Sequence, residues 1–287
     1  MFINEYNYLT PTKDCGDHLE VEDLSREDGI SKQYIERFPA IKLTRPTAVL
    51  YSAGVTVHQS DGKNCNNVKS RYHGSVPYFD GSMMIKELSA YAMHQWIGSM
   101  KNNEEVVYAS INGNSCASSM HSLYEAERLL NEGVCEEVIV ITEEKTSFNT
   151  IRIFKEHGIK VTVADGAAVV RISMDPIGHE VTDTKWSYEY NRNPFGTSQE
   201  GYYNVATACD TVKPHGTNTD SNNVAEELLV SSKDAIYYKK DIGHTQGASA
   251  LLELCMAIDD DNAKGKVLCV ASGVGGFYGS CLLHKTS

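Results

Sequence analysis

The sequence has no long apolar run and no low-complexity tract, which excludes a bundle of membrane-spanning helices and a disordered or fibrous chain. Its opening, MFINEYNYLTPTKDCGDHLE, lacks the basic segment and following apolar stretch of a signal peptide, so a cytoplasmic location is expected. No CxxC pair or disulfide-framework spacing links the eight cysteines Cys15, Cys65, Cys116, Cys135, Cys209, Cys255, Cys269 and Cys281. Several sit in apolar strand-like runs, and most read as buried thiols. Positive charge is in short supply, with 26 Lys and Arg against 38 Asp and Glu and a formal net charge of −12. That balance opposes a general affinity for phosphate backbones or anionic lipid, so neither nucleic acid nor a membrane is expected as a partner.

What remains is a globular composition, 41% hydrophobic and 22% charged, in 287 residues. That length suffices for two fused half-domains, each with a buried sheet. Two distant segments repeat one order of elements. In NSCASSMHSLYEAERLLNEG, Met120, Leu123, Tyr124 and Leu130 form an apolar stripe at helical spacing, and Gly133 is a natural stop. EEVIVITEE follows as a strand, and VTVADGAAVVRIS as two strand-like runs about a glycine turn. Later, HTQGASALLELCMAI reads as a helix, KVLCVASG as a strand and GGFYGSCLLHK as a closing strand. Each half thus runs from a loop bearing Cys or His through an apolar helix, a strand and a glycine turn to a final strand.

Apolar strands alternating with apolar helices predict an α/β protein with mixed sheets covered by helices on both sides. The boundary is expected in DPIGHEV, Asp175–Val181, giving halves 1–177 and 178–287. FINEYNYLTP, TAVLYSAGVTV and VVYASING read as strands, MMIKELSAYAMHQWIGSM as an amphipathic helix, and 183–205 as strand and loop.

Four short motifs carry polar chemistry: NGNSCASS at 112–119, KPHGTNT at 213–219, KKDIGHTQGAS at 239–249 and ASGVGGFYGS at 271–280. Cys116 lies at the start of a predicted helix, where free N–H groups and the helix dipole favour a thiolate. His215 and His244 stand in loops and supply two groups able to hydrogen-bond a developing oxyanion or enolate. Zinc on the same Cys and His residues is the weaker alternative, since close paired spacing is missing. The run Gly273-Val274-Gly275-Gly276 joins two strands and lacks the Lys-Ser/Thr and helix of a phosphate loop. It reads instead as a tight turn whose N–H groups suit an oxyanion hole.

In this order the four motifs resemble the β-ketoacyl synthases of fatty-acid and polyketide assembly, within the thiolase superfamily, over about residues 105–287. The resemblance implies duplicated βαβαβ halves in a layered α-β-α-β-α architecture. It implies that Cys116 accepts the acyl group and that His215 and His244 promote decarboxylation of a malonyl-type extender. Lys239 matches the family's lysine, Glu226 the acidic residue paired with it, and the N–H groups of Cys116 and Val274 the oxyanion hole beside Gly275 and Gly276. Thr217 and Thr219 complete the histidine motif as supporting residues. Departures are Asn114-Ser115 before the cysteine, Val274 in place of a gating Phe, and Asn223 in place of an Asp.

The resemblance further implies no cofactor of the chain's own. Acyl and malonyl groups would arrive on the phosphopantetheine of an acyl carrier protein or on coenzyme A. It implies a homodimer, or a heterodimer with a second synthase-like subunit. Two other readings stand beside condensation: an acyltransferase that does not decarboxylate, and a partner subunit resembling a chain-length factor.

Overall fold

The structure, a computed structural model, describes residues 1–10, 45–53, 106–112, 114–144, 164, 166–188, 209–216, 230, 233–273 and 275–285. The helix expected in MMIKELSAYAMHQWIGSM, the VTV run at 161–163 and the stretch after Tyr188 up to 205 lie outside these residues.

The described residues form ten strands: β1 (Phe2–Leu9), β2 (Thr47–Ala53), β3 (Val106–Asn112), β4 (Glu137–Glu144), β5 (Gly166–Ser173), β6 (His179–Tyr188), β7 (Thr211–Lys213), β8 (Asp234–Ala235), β9 (Lys266–Gly273) and β10 (Phe277–His284). The described helices are α1 (Ser118–Asn131), α2 (Lys239–Ile242) and α3 (Ser249–Asp259), with 3-10 turns at Ser115–Ala117 and Gln246–Ala248. The strands form one sheet in the order β3-β2-β4-β5-β1-β6-β10-β9-β7-β8.

That order contains the duplication. Numbered within its own half, each set of five strands runs 3-2-4-5-1. The directions also repeat. In the first half β2 is parallel to β3 and β4, and β5 is antiparallel to β4 and β1. In the second, β7 is parallel to β8 and β9, and β10 is antiparallel to β9 and β6. The halves meet through two residue pairs, Phe2 with Glu180 and Ile3 with His179. The chain passes between them in a turn where Gly178 has φ +87°, and a Cβ there would lie 2.1 Å from the Ile3 carbonyl oxygen. Only glycine meets both conditions.

The two long helices lie between the halves of the sheet. Helix α1 packs on β2 and β4 of its own half and on β6 and β10 of the other, while α3 packs on β9 and also on β1 and β5. Their sequences reflect this position. In α1, Met120, Leu123 and Leu130 are buried and Tyr124 is half-buried, while Arg128 and Asn131 face solvent. Helix α3 is buried at nine of its 11 positions, as an apolar helix in a central layer must be. Strands β5 and β9 are buried on both faces along nearly all their length, which explains their continuous apolar runs. Met120, Leu123, Val140, Val170, Leu251, Leu254 and Cys269 share one core, each large aliphatic side chain adding roughly 1.5–3 kcal/mol of burial. The result is an α/β fold in which the two halves of one sheet flank the central helices.

Candidate active site

Two equivalent loops build the site. Ser115 (φ 53°) and Gln246 (φ 43°) are non-glycine residues in the left-handed region, and each opens a 3-10 turn leading into a central helix. Such a conformation costs about 1–3 kcal/mol and persists only where its surroundings enforce it. The first loop places Cys116 at its bend, and the second places Gly247. The neighbouring strand ends differ correspondingly. Gly273 ends β9 so close to the cysteine loop that a Cβ would lie 2.5 Å from the Asn114 carbonyl oxygen. Its counterpart at the end of β4 is the buried Glu144, whose Oε2 accepts the Gly247 N–H at 3.3 Å. One half therefore leaves its bend clear for a nucleophile, and the other caps the corresponding amide with a carboxylate.

His215 follows β7 by two residues, and His244 follows α2 by two residues. The fold brings both to Cys116. The thiol Sγ and His244 Nε2 are 3.0 Å apart, and His244 Nδ1 is 3.0 Å from the Ser249 hydroxyl. The two imidazoles meet edge to face, with centroids 5.3 Å apart and planes at 90°. Nitrogen and sulfur atoms of the three residues all lie within 4.8 Å of one another, and all three side chains are buried. Among the described residues, His215 Nδ1 is buried without a hydrogen-bond partner.

Burial governs the proton chemistry. It pushes the Cys116 thiol up to about 11, with the Glu144 charge adding to the effect and the Ser115 hydroxyl and Lys239 charge opposing it. The helix N-terminus therefore does not yield a standing thiolate, contrary to the expectation from sequence. Desolvation outweighs the Ser115 hydrogen bond and the Lys239 charge. Both histidines are held well below the usual imidazole range, first by burial and then by the charges of Lys239 and Lys213. Each is neutral near pH 7. A neutral His244 can accept the thiol proton at Nε2 while Nδ1–H donates to Ser249. The serine hydroxyl can equally donate to Nδ1, so it supports either tautomer.

Lys239 is buried, and its ammonium donates to Glu253 Oε1 at 2.6 Å. Glu253 is thus a carboxylate on this lysine that the sequence reading did not identify. The signal was available: Glu253 is the acidic residue in the middle of the otherwise apolar SALLELCMAI. Lys213 and Ser249 lie within the motifs KPHGTNT and KKDIGHTQGAS but were given no role, and nothing in its local sequence sets Glu144 apart. Gly275 and Gly276 (φ +100° and +90°) make the turn between β9 and β10, where the Gly276 N–H donates to the Gly273 carbonyl at 3.3 Å. Val274, Thr217, Thr219, Asn223 and Glu226 lie outside the described residues.

Cys116, His215 and His244 are all zinc-ligand types, and their spacing would admit a metal ion. Two buried ammonium groups whose fields already depress both imidazoles would oppose a cation in the same place. The arrangement suits developing negative charge better. No helix among the described residues is long and apolar enough to cross a membrane.

No family model matches this sequence, and no curated protein matches it. The fold does match solved structures. An oxazolomycin ketosynthase domain from Streptomyces albus JA3453 is similar at 12% identity and TM-score 0.62, covering 85% of this chain. The chain spans 56% of that domain's length. A type II PKS ketosynthase, solved in complex with its acyl-carrier protein and bound to the hexaketide, matches at 13% identity and TM-score 0.64, with 93% of this chain and 86% of that one covered. The ishigamide ketosynthase/chain length factor matches at 14% identity and TM-score 0.58, with coverages of 84% and 76%. At such identities the likeness establishes the fold: it is that of the ketosynthases.

Proposed function

We propose that this chain, having a ketosynthase fold, condenses an acyl group held on Cys116 with a malonyl-type thioester, with loss of CO₂. The observation that carries this reading is the buried Cys116–His244 contact at 3.0 Å with a second neutral imidazole, His215, beside it. His244 Nε2 takes the thiol proton as Sγ attacks the incoming thioester carbonyl. The bond to the carrier sulfur breaks, and the carrier thiolate leaves with that proton. With Sγ acylated, Nε2 of His244 turns donor, supported by the Ser249 hydroxyl at Nδ1. It and His215 then hold the enolate oxygen formed as the malonyl thioester loses CO₂. The enolate carbon attacks the acyl carbonyl, the C–Sγ bond breaks, the Cys116 thiolate takes a proton from water to regenerate the thiol, and the β-ketoacyl thioester leaves.

In this reading no cofactor belongs to the chain, and the N–H groups of Cys116 and Val274 hold the tetrahedral oxyanion beside Gly275 and Gly276. Glu226, Thr217 and Thr219 keep supporting roles around Lys239 and His215. The division of labour follows the halves, 1–177 supplying the nucleophile and 178–287 both histidines. The acyl groups arrive on phosphopantetheine of an acyl carrier protein or on coenzyme A, in the cytoplasm. A carrier protein is favoured by the likeness to a ketosynthase that was solved together with its acyl-carrier protein.

Incubation with an acyl thioester and [¹⁴C-carboxyl]malonyl thioester tests the proposal. Labelled CO₂ is expected from the native chain and none from Cys116→Ala. Acylation of Cys116 without CO₂ release would instead identify a transferase that does not decarboxylate. Neither acylation nor CO₂ release would leave a role like that of a chain-length factor.

Strand β3 ends the sheet and pairs only with β2 among the described residues. Its Val106–Asn112 backbone is the natural place for a second copy to continue the sheet. A homodimer is expected by light scattering at micromolar concentration. An active monomer would refute it, and soluble expression only alongside a second synthase-like chain would indicate a heterodimer.

A further inference from the structure

Lys213 has no part in the chemistry above, yet it is a fully buried ammonium group two residues from His215. It stands on the three-residue strand β7, and its side chain is 1% exposed. Its Nζ donates to Glu253 Oε2 at 2.9 Å and to the Val270 carbonyl at 3.0 Å. The other oxygen of the same carboxylate takes Lys239 at 2.6 Å. The arrangement is paired. Lys239 belongs to α2, the element that leads into His244, and Lys213 to β7, the element that leads into His215. Each histidine is thus delivered by an element whose buried lysine is fastened to Glu253 on the central helix α3.

We propose that Lys213 is a positioning residue for His215, the counterpart of Lys239 for His244, with Glu253 as their shared anchor. The assignment rests on the reading of Cys116 as nucleophile with His215 and His244 beside it. A lysine this deep needs a compensating partner, and a carboxylate already holding one ammonium group supplies it only if both elements keep their place. The contact to Val270 on β9 fixes the third direction. The groups facing Lys213 come from every side: Glu253 from α3, Cys269 from β9, Cys281 from β10, and Lys239 and both imidazoles toward the site. Cys116 faces His244 from the first half, and the Glu144 charge acts on that thiol. Besides placing the ring, the Lys213 charge opposes a second proton on either imidazole, so each stays a neutral ring with one N–H to donate.

Lys213→Met tests the idea, because the Lys239–Glu253 pair survives in that variant and the fold has no carboxylate left unpaired. The expected result is a fall of about 10²-fold in kcat for CO₂ release, with KM and Cys116 acylation within about threefold of the native chain. In ¹³C NMR of the imidazoles, the His215 titration should move upward, since one of the charges that lower it is gone. A merely structural lysine would lower stability without separating CO₂ release from Cys116 acylation. If Lys213→Met does not fold, Lys213→Arg keeps the charge and changes the reach. It should leave the His215 titration as low as in the native chain yet still lower kcat about tenfold or more. Unchanged titration together with CO₂ release within about threefold of native in Lys213→Met overturns the proposal. So does native kcat in Lys213→Arg when that variant has to be used. A native chain that releases no CO₂ refutes the condensation reading alone, since the imidazole titration reads Lys213 without any substrate.

Discussion

Glu253→Gln is expected to destabilise the protein by about 3–5 kcal/mol, a large share of the total stability of a typical domain. The shape of the side chain is kept, so packing is not the cause. The carboxylate is buried and bonded to two buried ammonium groups, Lys213 Nζ at 2.9 Å and Lys239 Nζ at 2.6 Å. An amide offers one oxygen and no charge. Lys213 would then retain the Val270 carbonyl as its remaining acceptor, and a buried cation without a counter-charge is among the costliest defects a core can carry. Urea unfolding would show a lower midpoint at unchanged slope. A loss under about 1 kcal/mol would mean that the two lysines hold each other's elements by packing alone. Lys213→Met should be much milder, since it leaves one ammonium group on one carboxylate.

The histidines are expected to separate in effect. His244→Ala should slow acylation of Cys116 by about 10²–10⁴-fold at pH 7.5, because its Nε2 sits 3.0 Å from a thiol that burial has pushed up to about 11. The residual rate in that variant should climb about tenfold per pH unit toward that value, as hydroxide takes over the proton. His215→Ala should leave acylation within about threefold of native and suppress CO₂ release by about 10²–10³-fold, since its work is on the enolate. Sequence reasoning grouped the two as promoters of decarboxylation. The geometry sets His244 apart as the base for loading. Single-turnover transfer of a radiolabelled acyl group, measured beside CO₂ release, checks both steps. Normal loading by His244→Ala would mean that the thiol proton leaves by another route.

The fold was legible wherever its cause is local. The stripe of Met120, Leu123 and Leu130, the stop at Gly133 and the uniformly apolar β5, β9 and α3 follow from side-chain periodicity and turn chemistry. For the same reason the repeat could be read from element order although the two halves share few identities. The identical 3-2-4-5-1 order in the sheet reflects that repeat. The convergence of Cys116, His215 and His244 was legible only through resemblance, because residues 128 positions apart carry no pattern linking them.

By itself, then, the sequence determined the elements, their duplication and the identities of the reactive groups, since these depend on spacing along the chain. Tertiary structure decided the protonation of those groups and the partners of the buried charges. Lys213 reaches Glu253 across 40 residues and Lys239 reaches it across 14, and neither contact has a sequence signature. The helix start argued for a thiolate at Cys116, and burial reversed that direction. Desolvation and Coulomb energy depend on what surrounds a group in space, which is settled only when both halves of the sheet close on α1 and α3.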